Sequence, residues 1–351
     1  MDKIFTGVKI AAIATALPKE RLILSTLAEK FGAETVSKII KSTEISELRI
    51  APAGKTSADY CLEAARKIFD AGIVAPSQID GIIFVTETPN YRLPHTSAEM
   101  QAVLGVPHRA LTLDINYGCA GYVYGLFVAS LLLESSYCRN VLLCAGDMPS
   151  KYVNAEDKST RLVLGDGGSA TILTAEKNSA PSVFTFYTDG ENLDKLYVPV
   201  GGFRAPSAHG VTDILKFDEN GNGRTLEDVH MDGMGVMNFV MRNVKNLVAE
   251  TLSALNLSVD AVDLFAMHQA NALIVKFLAK KIGVGAEKMP FAAQKTGNTT
   301  CATIPLLLSN LYAGRNENLR RVLVCGFGTG LTCAAGVIDL SKAKIFPPVE
   351  I

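Results

Sequence analysis

The sequence predicts an α/β fold of five layers, α-β-α-β-α, built from two related halves, residues 1–178 and 179–351. Three observations carry this expectation. Helix and strand patterns alternate along the chain, which implies mostly parallel sheets covered by helices. Two stretches recur at one shared offset of about 180 residues, the mark of an internal duplication. Each half also holds an apolar helix with small residues at its start and no solvated face, as a helix enclosed between two sheets requires.

In chain order, Val8-Lys9-Ile10-Ala11-Ala12-Ile13-Ala14 reads as a first strand. It faintly mimics the apolar core of a secretory leader, but Lys9 interrupts it and Leu17-Pro18-Lys19-Glu20 ends it as a turn. An amphipathic helix from Ser57 to Ala71, a turn at Ala75-Pro76-Ser77 and the strand Gly81–Val85 follow. The second half repeats that plan with a helix from Met237 to Leu255 and the strand Asp263–Met267. Asn140–Gly146 and Arg321–Phe327 form a closer echo, each followed by a β-rich segment, Gly168–Leu173 and Leu331–Ile338. Ala110–Ile115 reads as a short buried strand, and the helix Val123–Leu133 beyond it is apolar almost all round. Its counterpart opens at Thr300-Cys301-Ala302-Thr303-Ile304-Pro305, where Pro305 fits only in a first turn. Gly201–Ser207 and Glu219–Gly223 read as irregular loops, the expected walls and lid of a substrate channel.

Bulk properties exclude several classes. With 351 residues the chain has room for one large domain or two ordinary ones, and 48% hydrophobic content gives no sign of disorder. A net charge of −1 leaves no basic excess for neutralising phosphates, so nucleic acid is not an expected partner. Seven cysteines, an odd count without CxxC pairs, fit a reducing cytoplasm. The longest uncharged apolar run, Cys119–Leu133, falls short of the roughly 20 residues that span a bilayer, so no membrane is expected.

The chemistry concentrates at Asp114-Ile115-Asn116-Tyr117-Gly118-Cys119-Ala120-Gly121-Tyr122. Cys119 falls where the strand turns into the apolar helix, and free N–H groups and the positive end of a helix dipole lower a thiol pKa there. Cysteine is also among the most buried residue types, so a packed core thiol fits the same pattern. His268 follows the strand ending at Met267, at the strand end where open α/β sheets bind ligands. Asn298 lies in the polar turn Lys295–Thr300 that leads into the second apolar helix. A hydrogen-bonded core histidine and a turn or N-cap asparagine are the plainer readings of these two. A pseudo-twofold axis between the halves would bring both helix starts together, and with them Cys119, His268 and Asn298.

That trio suits one chemistry. The thiolate takes an acyl group from a thioester. Neutral His268 and Asn298 donate to the carbonyl of a malonyl-type thioester and stabilise the enolate left as CO2 departs. Gly326-Phe327-Gly328-Thr329-Gly330 would supply N–H groups to the oxyanion on the acyl-Cys side. The same run has Leu331 where a dinucleotide fingerprint needs its third glycine, and Gly165-Asp166-Gly167-Gly168 lacks the lysine of a phosphate loop. His95, His108, His209 and His230 lack ligand spacing, so neither metal nor cofactor is expected.

Taken together, Cys119-Ala120-Gly121, Gly165-Asp166-Gly167, Gly201-Gly202-Phe203-Arg204, His268-Gln269-Ala270-Asn271, Gly297-Asn298-Thr299 and Gly326–Gly330 resemble β-ketoacyl-[acyl-carrier-protein] synthase III, nearly end to end. The resemblance implies a thiolase-like five-layer fold and a cytoplasmic homodimer of fatty-acid and lipid metabolism. It implies Cys119 as nucleophile, His268 and Asn298 as the decarboxylation pair, and the N–H groups of Cys119 and Gly330 as oxyanion hole. Leu93, Leu164, Phe203 and Phe327 would line the substrate pocket. The substrates implied are an acyl-CoA or acyl-carrier-protein donor and malonyl-[acyl-carrier-protein].

Departures from the family pattern fall at the carrier entrance. The chain has no Trp, Ser42 stands where the family clamps CoA adenine with arginine, and the partner arginine aligns with Lys158. Lys and Ser do not supply the stacking that Arg and Trp provide, so the donor could arrive on CoA or on a carrier protein. Leu93 takes the position of a phenylalanine that usually reaches across the dimer. Leu273 replaces a basic residue, while Arg242, Lys276, Lys280 and Lys281 leave a modest basic patch for an acidic carrier. Decarboxylating condensation to a β-ketoacyl product is the expected reaction. The rivals are acyl transfer from the same acyl-Cys to another nucleophile, without decarboxylation, and a catalytically idle partner subunit.

Overall fold

The structure, a computed structural model, describes residues 3–315 and 318–351. The first sheet is built from β1 (Val8–Leu17), β2 (Gly81–Val85), β3 (Leu111–Ile115), β4 (Asn140–Asp147) and β5 (Gly167–Ala175), in the order β1-β5-β4-β2-β3. Helices α1 (Ser57–Asp70), α2 (Thr96–Leu104) and α3 (Gly121–Glu134) alternate with these strands. The second sheet holds β6 (Val183–Thr188), β7 (Leu264–Met267), β8 (Val322–Gly328) and β9 (Thr332–Ile338), in the order β7-β8-β9-β6. Its helices are α4 (Gly233–Ser253), α5 (Ala272–Ile282) and α6 (Thr303–Tyr312). Two short strands near the end of the chain, Lys344–Ile345 and Val349–Glu350, return to pair with β1 of the first sheet.

Strand alternation sorts side chains into layers. Along β4, Val141, Leu143 and Ala145 join Leu126 of α3 and Leu307 of α6 between the sheets, while Leu142 and Cys144 pack under α1 and α2. Along β8, Val322 and Val324 face the same central layer, and Leu323, Cys325 and Phe327 face α4 and α5. The result is the expected α-β-α-β-α stack. Pro305 is the third residue of α6, within the first turn, where its missing N–H breaks no helical bond.

Three expectations need correction. The sheets are mixed: the first keeps four parallel pairings but has β5 antiparallel between β1 and β4, and the second is mostly antiparallel, with β9 antiparallel between β8 and β6. Between β8 and β9 only Thr329, Gly330 and Leu331 intervene, too short a link for the crossover that a parallel neighbour needs. Second, β3 is not a buried strand but the edge of its sheet, and Leu113 stays 38% exposed. Third, α3 is not enclosed all round. Its face carrying Tyr124, Phe127 and Val128 is half-buried, and Leu131 is 37% exposed.

The enclosed face of α3 dominates its energetics. Leu126 is fully buried there. Leu126→Ala should lower unfolding free energy by about 2–5 kcal/mol, read as a lower denaturant midpoint at unchanged slope.

Candidate active site

Cys119 sits two residues before α3, in a tight turn closed by Gly121 N–H donating to the Gly118 carbonyl at 2.7 Å. The thiol rests against β8 of the other half. A Cβ on Gly328 would lie 2.9 Å from Cys119 Sγ, so only glycine leaves the sulfur its place. The Cys119 and Gly330 N–H groups donate to no oxygen among the described residues, as an oxyanion hole requires. The expected lowering of the thiol pKa does not occur. Burial, then the carboxyls of Glu87 and Asp147, push it well above its ordinary value, and its own N–H offsets this only in part. Desolvation of a cysteine that is only 7% exposed outweighs a helix terminus.

Asn298 bridges to the first half, its N–H donating to Val163 O at 2.9 Å and its carbonyl accepting from Gly165 N–H at 3.0 Å. Its side-chain oxygen accepts from Thr300 N–H at 2.9 Å, which leaves the NH2 group to face outward. His268 is fixed at the end of β7 by its N–H on Cys325 O at 2.7 Å. Ring Nδ1 meets Thr303 Oγ1 at 2.7 Å, and the ring stands edge-on to Phe327 at 5.3 Å. Burial pushes its pKa down to about 3, with the Thr300 backbone opposing, so the ring is neutral at physiological pH. The rest of the motif is scaffolding. Gln269 links Met267 O and Ala292 N–H, and Asn271 caps α5 by accepting from Ile274 N–H at 2.9 Å.

Cys119 and Asn298 line one cavity of about 360 Å³, together with Gly330. His268 is 1% exposed and meets the cavity wall through Thr303 and Thr300, its Nδ1 bonded to the Thr303 hydroxyl. Its lining combines polar residues, among them Glu87, Asn116, Thr300 and Thr329, with the apolar Leu164, Leu196, Val198, Val229 and Met231. Such a lining fits a thioester with an apolar acyl chain.

Sequence reading missed Glu87 and Asp147. Asp147 ends β4 and accepts from Thr86 Oγ1 at 3.0 Å, Glu87 N–H at 2.6 Å, Thr88 Oγ1 at 3.4 Å and the Thr300 hydroxyl. Glu87 accepts one bond, from Thr329 Oγ1 at 2.7 Å, and its other oxygen lies against Gly118, where a Cβ would come within 2.4 Å. Burial and Asp147 push the Glu87 pKa up to about 7, against the pull of Thr329. Asp147, with four donors against one for Glu87, therefore holds the charge of the pair more readily, and Glu87 the exchangeable proton. Both follow the C-terminal ends of parallel strands, the rule that singled out His268, and applying it to the first half would have found them.

Of the four expected pocket residues, only Leu164 lines this cavity. Phe327 is buried behind His268. Phe203 is 86% exposed beneath the Arg92 guanidinium, and Leu93 is 79% exposed on the surface. The expected loop walls also lie elsewhere. Gly201–Ser207 stays at the surface and Glu219–Gly223 folds on the Asp218 carboxylate, while the hairpin pairing Leu196–Tyr197 with His230–Met231 forms the wall. At the expected entrance, Ser42 is exposed and bonds Ile39 O, and Lys158 is committed to the Asn220 carbonyl. Lys276 pairs with Glu44, Lys281 bonds Met241 O beside Arg242, and Arg242 and Lys280 are exposed.

Residues 113–190 match the family described as 3-Oxoacyl-[acyl-carrier-protein (ACP)] synthase III, and residues 252–340 its C-terminal part. A β-ketoacyl-[acyl-carrier-protein] synthase III of Streptococcus suis is 31% identical over 336 residues, covering 95% of this chain and 98% of that protein. The chain belongs to the β-ketoacyl-[acyl-carrier-protein] synthase III family. A solved 3-oxoacyl-(acyl-carrier protein) synthase from Burkholderia xenovorans superposes with a TM-score of 0.93 at 34% identity, covering 100% of this chain and 99% of that one. Another synthase III structure has a TM-score of 0.89 at 37% identity, over 95% and 99%. This member of the synthase III family thus has the thiolase fold and is an acyl-transferring condensing enzyme. No helix among the described residues is long and apolar enough to cross a membrane.

Accessibility and proton affinity of the thiol can be read together. A haloacetamide should modify Cys119 alone among the seven cysteines of the folded chain, and its rate should still be climbing at pH 9. Peptide mass mapping across pH checks this; a plateau at neutral pH would mean a standing thiolate.

Proposed function

We propose that this synthase III catalyses a decarboxylating Claisen condensation in lipid biosynthesis. An acyl group from an acyl-CoA or acyl-carrier-protein donor is held on Cys119 and attacked by the enolate of malonyl-[acyl-carrier-protein], giving a β-ketoacyl-[acyl-carrier-protein]. The observation that carries the reading is the shared cavity, whose lining brings together a thiol, two backbone N–H groups that donate to no oxygen among the described residues, a carboxamide NH2 and apolar side chains. Cys119 Sγ forms the acyl thioester while its own N–H and that of Gly330 receive the carbonyl oxygen. Asn298 Nδ2–H and His268 Nε2–H donate to the malonyl thioester carbonyl as CO2 leaves. Nε2 carries the ring proton when the Thr303 hydroxyl, which lies 2.7 Å from Nδ1 and 2.9 Å from the Thr300 carbonyl, donates to Nδ1. A neutral ring suits the role, because it donates without removing a proton.

The exposed edge of β3, with Leu113, Leu131 and Leu93 on nearby surface elements, supports a homodimer joined along that edge. Arg242 on α4 and Lys280 on α5, with Phe277 exposed on α5, support docking of an acidic carrier protein.

Intact mass after incubation with acyl-CoA and acyl-carrier-protein donors should show one acyl adduct, absent from Cys119→Ala; no adduct with any donor removes the reading. Release of CO2 from malonyl-[acyl-carrier-protein] should fall on the order of 10²–10³-fold in His268→Ala and in Asn298→Ala. Thr303→Val should slow that release roughly tenfold while leaving Cys119 loading intact, because it loosens the tautomer alone.

A further inference from the structure

The condensation just described leaves one group in the cavity without work. Glu87 lines the same cavity as Cys119, yet none of the steps assigned to Cys119, His268 and Asn298 uses it. Its place is held from both halves of the molecule: its N–H donates to Asp147 in the first, and its Oε1 accepts from Thr329, in the hairpin of the second. Oε2 has no hydrogen-bond partner among the described residues and lies beside Gly118, next in sequence to the nucleophile. A structural carboxylate gathers donors, as Asp147 does. Glu87 keeps one oxygen free.

Loading Cys119 also has an unmet need. The thiol must lose a proton, and the donor's sulfur must leave as a thiol rather than as a costly thiolate. Burial and two carboxyls oppose a standing thiolate. His268 is a poor base in this position, because burial pushes its pKa down to about 3 and its Nδ1 is bonded to Thr303.

We propose that Glu87 is the proton carrier of the loading step, taking the proton of Cys119 through one cavity water and returning it to the departing sulfur of the donor. The balance closes. The Cys119 Sγ–carbonyl carbon bond forms, the donor's carbon–sulfur bond breaks, and one proton passes from the first sulfur to the second, so Glu87 ends as it began. No hydrogen bond joins Glu87 to Sγ directly, and the cavity is roomy enough for a bridging water. The titratable groups around Glu87 are Asp147, Cys119, Tyr152 and Cys301. Of these, Asp147 is held by four donors that favour its charged form against burial, and the thiols and phenol are held protonated by burial, so Glu87 is the group that exchanges near neutral pH.

This inference rests on acyl-Cys119 as the intermediate, and the test separates the two. Single-turnover loading of Cys119 from an acyl-CoA is followed by intact mass across pH in wild type, Glu87→Gln and Glu87→Asp, with melting temperatures as a check of folding. In wild type the rate should rise through an inflection near pH 7, as Glu87 loses its proton. Glu87→Gln keeps the shape and the Thr329 bond but should load on the order of 10²–10⁴-fold more slowly and lose that inflection. Glu87→Asp should recover part of the rate and keep an inflection; should Glu87→Gln fail to fold, the aspartate variant against wild type carries the comparison through the shift of its inflection. An aryl thioester, whose thiolate departs without a proton, should narrow the gap between wild type and Glu87→Gln. Loading by Glu87→Gln within about twofold of wild type, or with the same inflection, overturns the role of Glu87 while acyl-Cys119 stands. A wild type that loads from no donor overturns both.

Discussion

A single buried carboxylate ties the site together. Asp147 is fully buried at the end of β4, and a charge so placed is tolerable only with its donors held in position. Those donors come from residues 86–88, beyond β2, and from Thr300, at the start of the second central helix. Thr300 in turn gives its N–H to Asn298 and its carbonyl to Thr303, which meets His268. Thr300 adopts φ 49, a left-handed conformation rare for a β-branched residue, and its bonds to both halves hold it there. The carboxylate therefore sets the relation between halves on which every proposed catalytic atom depends.

Much of the fold was legible because its signals are local or repeated. The strand Gly81–Val85 has the expected bounds, and the helix from Ser57 ends at Asp70, one residue early. The paired echo of β4 and β8 revealed the duplication, and from it the layers, since both strands prove to feed a common central core. Strand direction was less legible, because it depends on whether a connection is long enough to cross over, and the Thr329–Leu331 link was read as chemistry rather than as a hairpin. The edge position of β3 was hidden for a related reason. Leu111, Leu113 and Ile115 have the letters of a core strand, whatever lies beside them.

The site divides the same way. Cys119 and Asn298 were found from strand-end and helix-start positions, which the chain encodes over a few residues. Pocket walls are assembled from segments far apart, so Leu196, Val198 and Met231 gave no warning, and Phe203 looked like a lining residue although it faces outward. The thiol's proton affinity was misjudged because a dipole can be inferred from a helix start, whereas the depth of burial and the nearness of two carboxyls cannot. The balance between those forces exists only in the assembled molecule.

Gly118, Glu87 and Thr329 occupy one small volume, with contributions from three separate segments. Any side chain at 118 collides with the carboxyl, while a shorter residue at 87 strands the hydroxyl of Thr329 and opens room beside the glycine. The order in which substitutions arrive at this corner therefore matters: position 118 is free to enlarge only after 87 has shrunk, and 329 has little reason to stay a threonine once 87 is no longer acidic. The three positions are therefore coupled, and a change at one alters what the other two can hold.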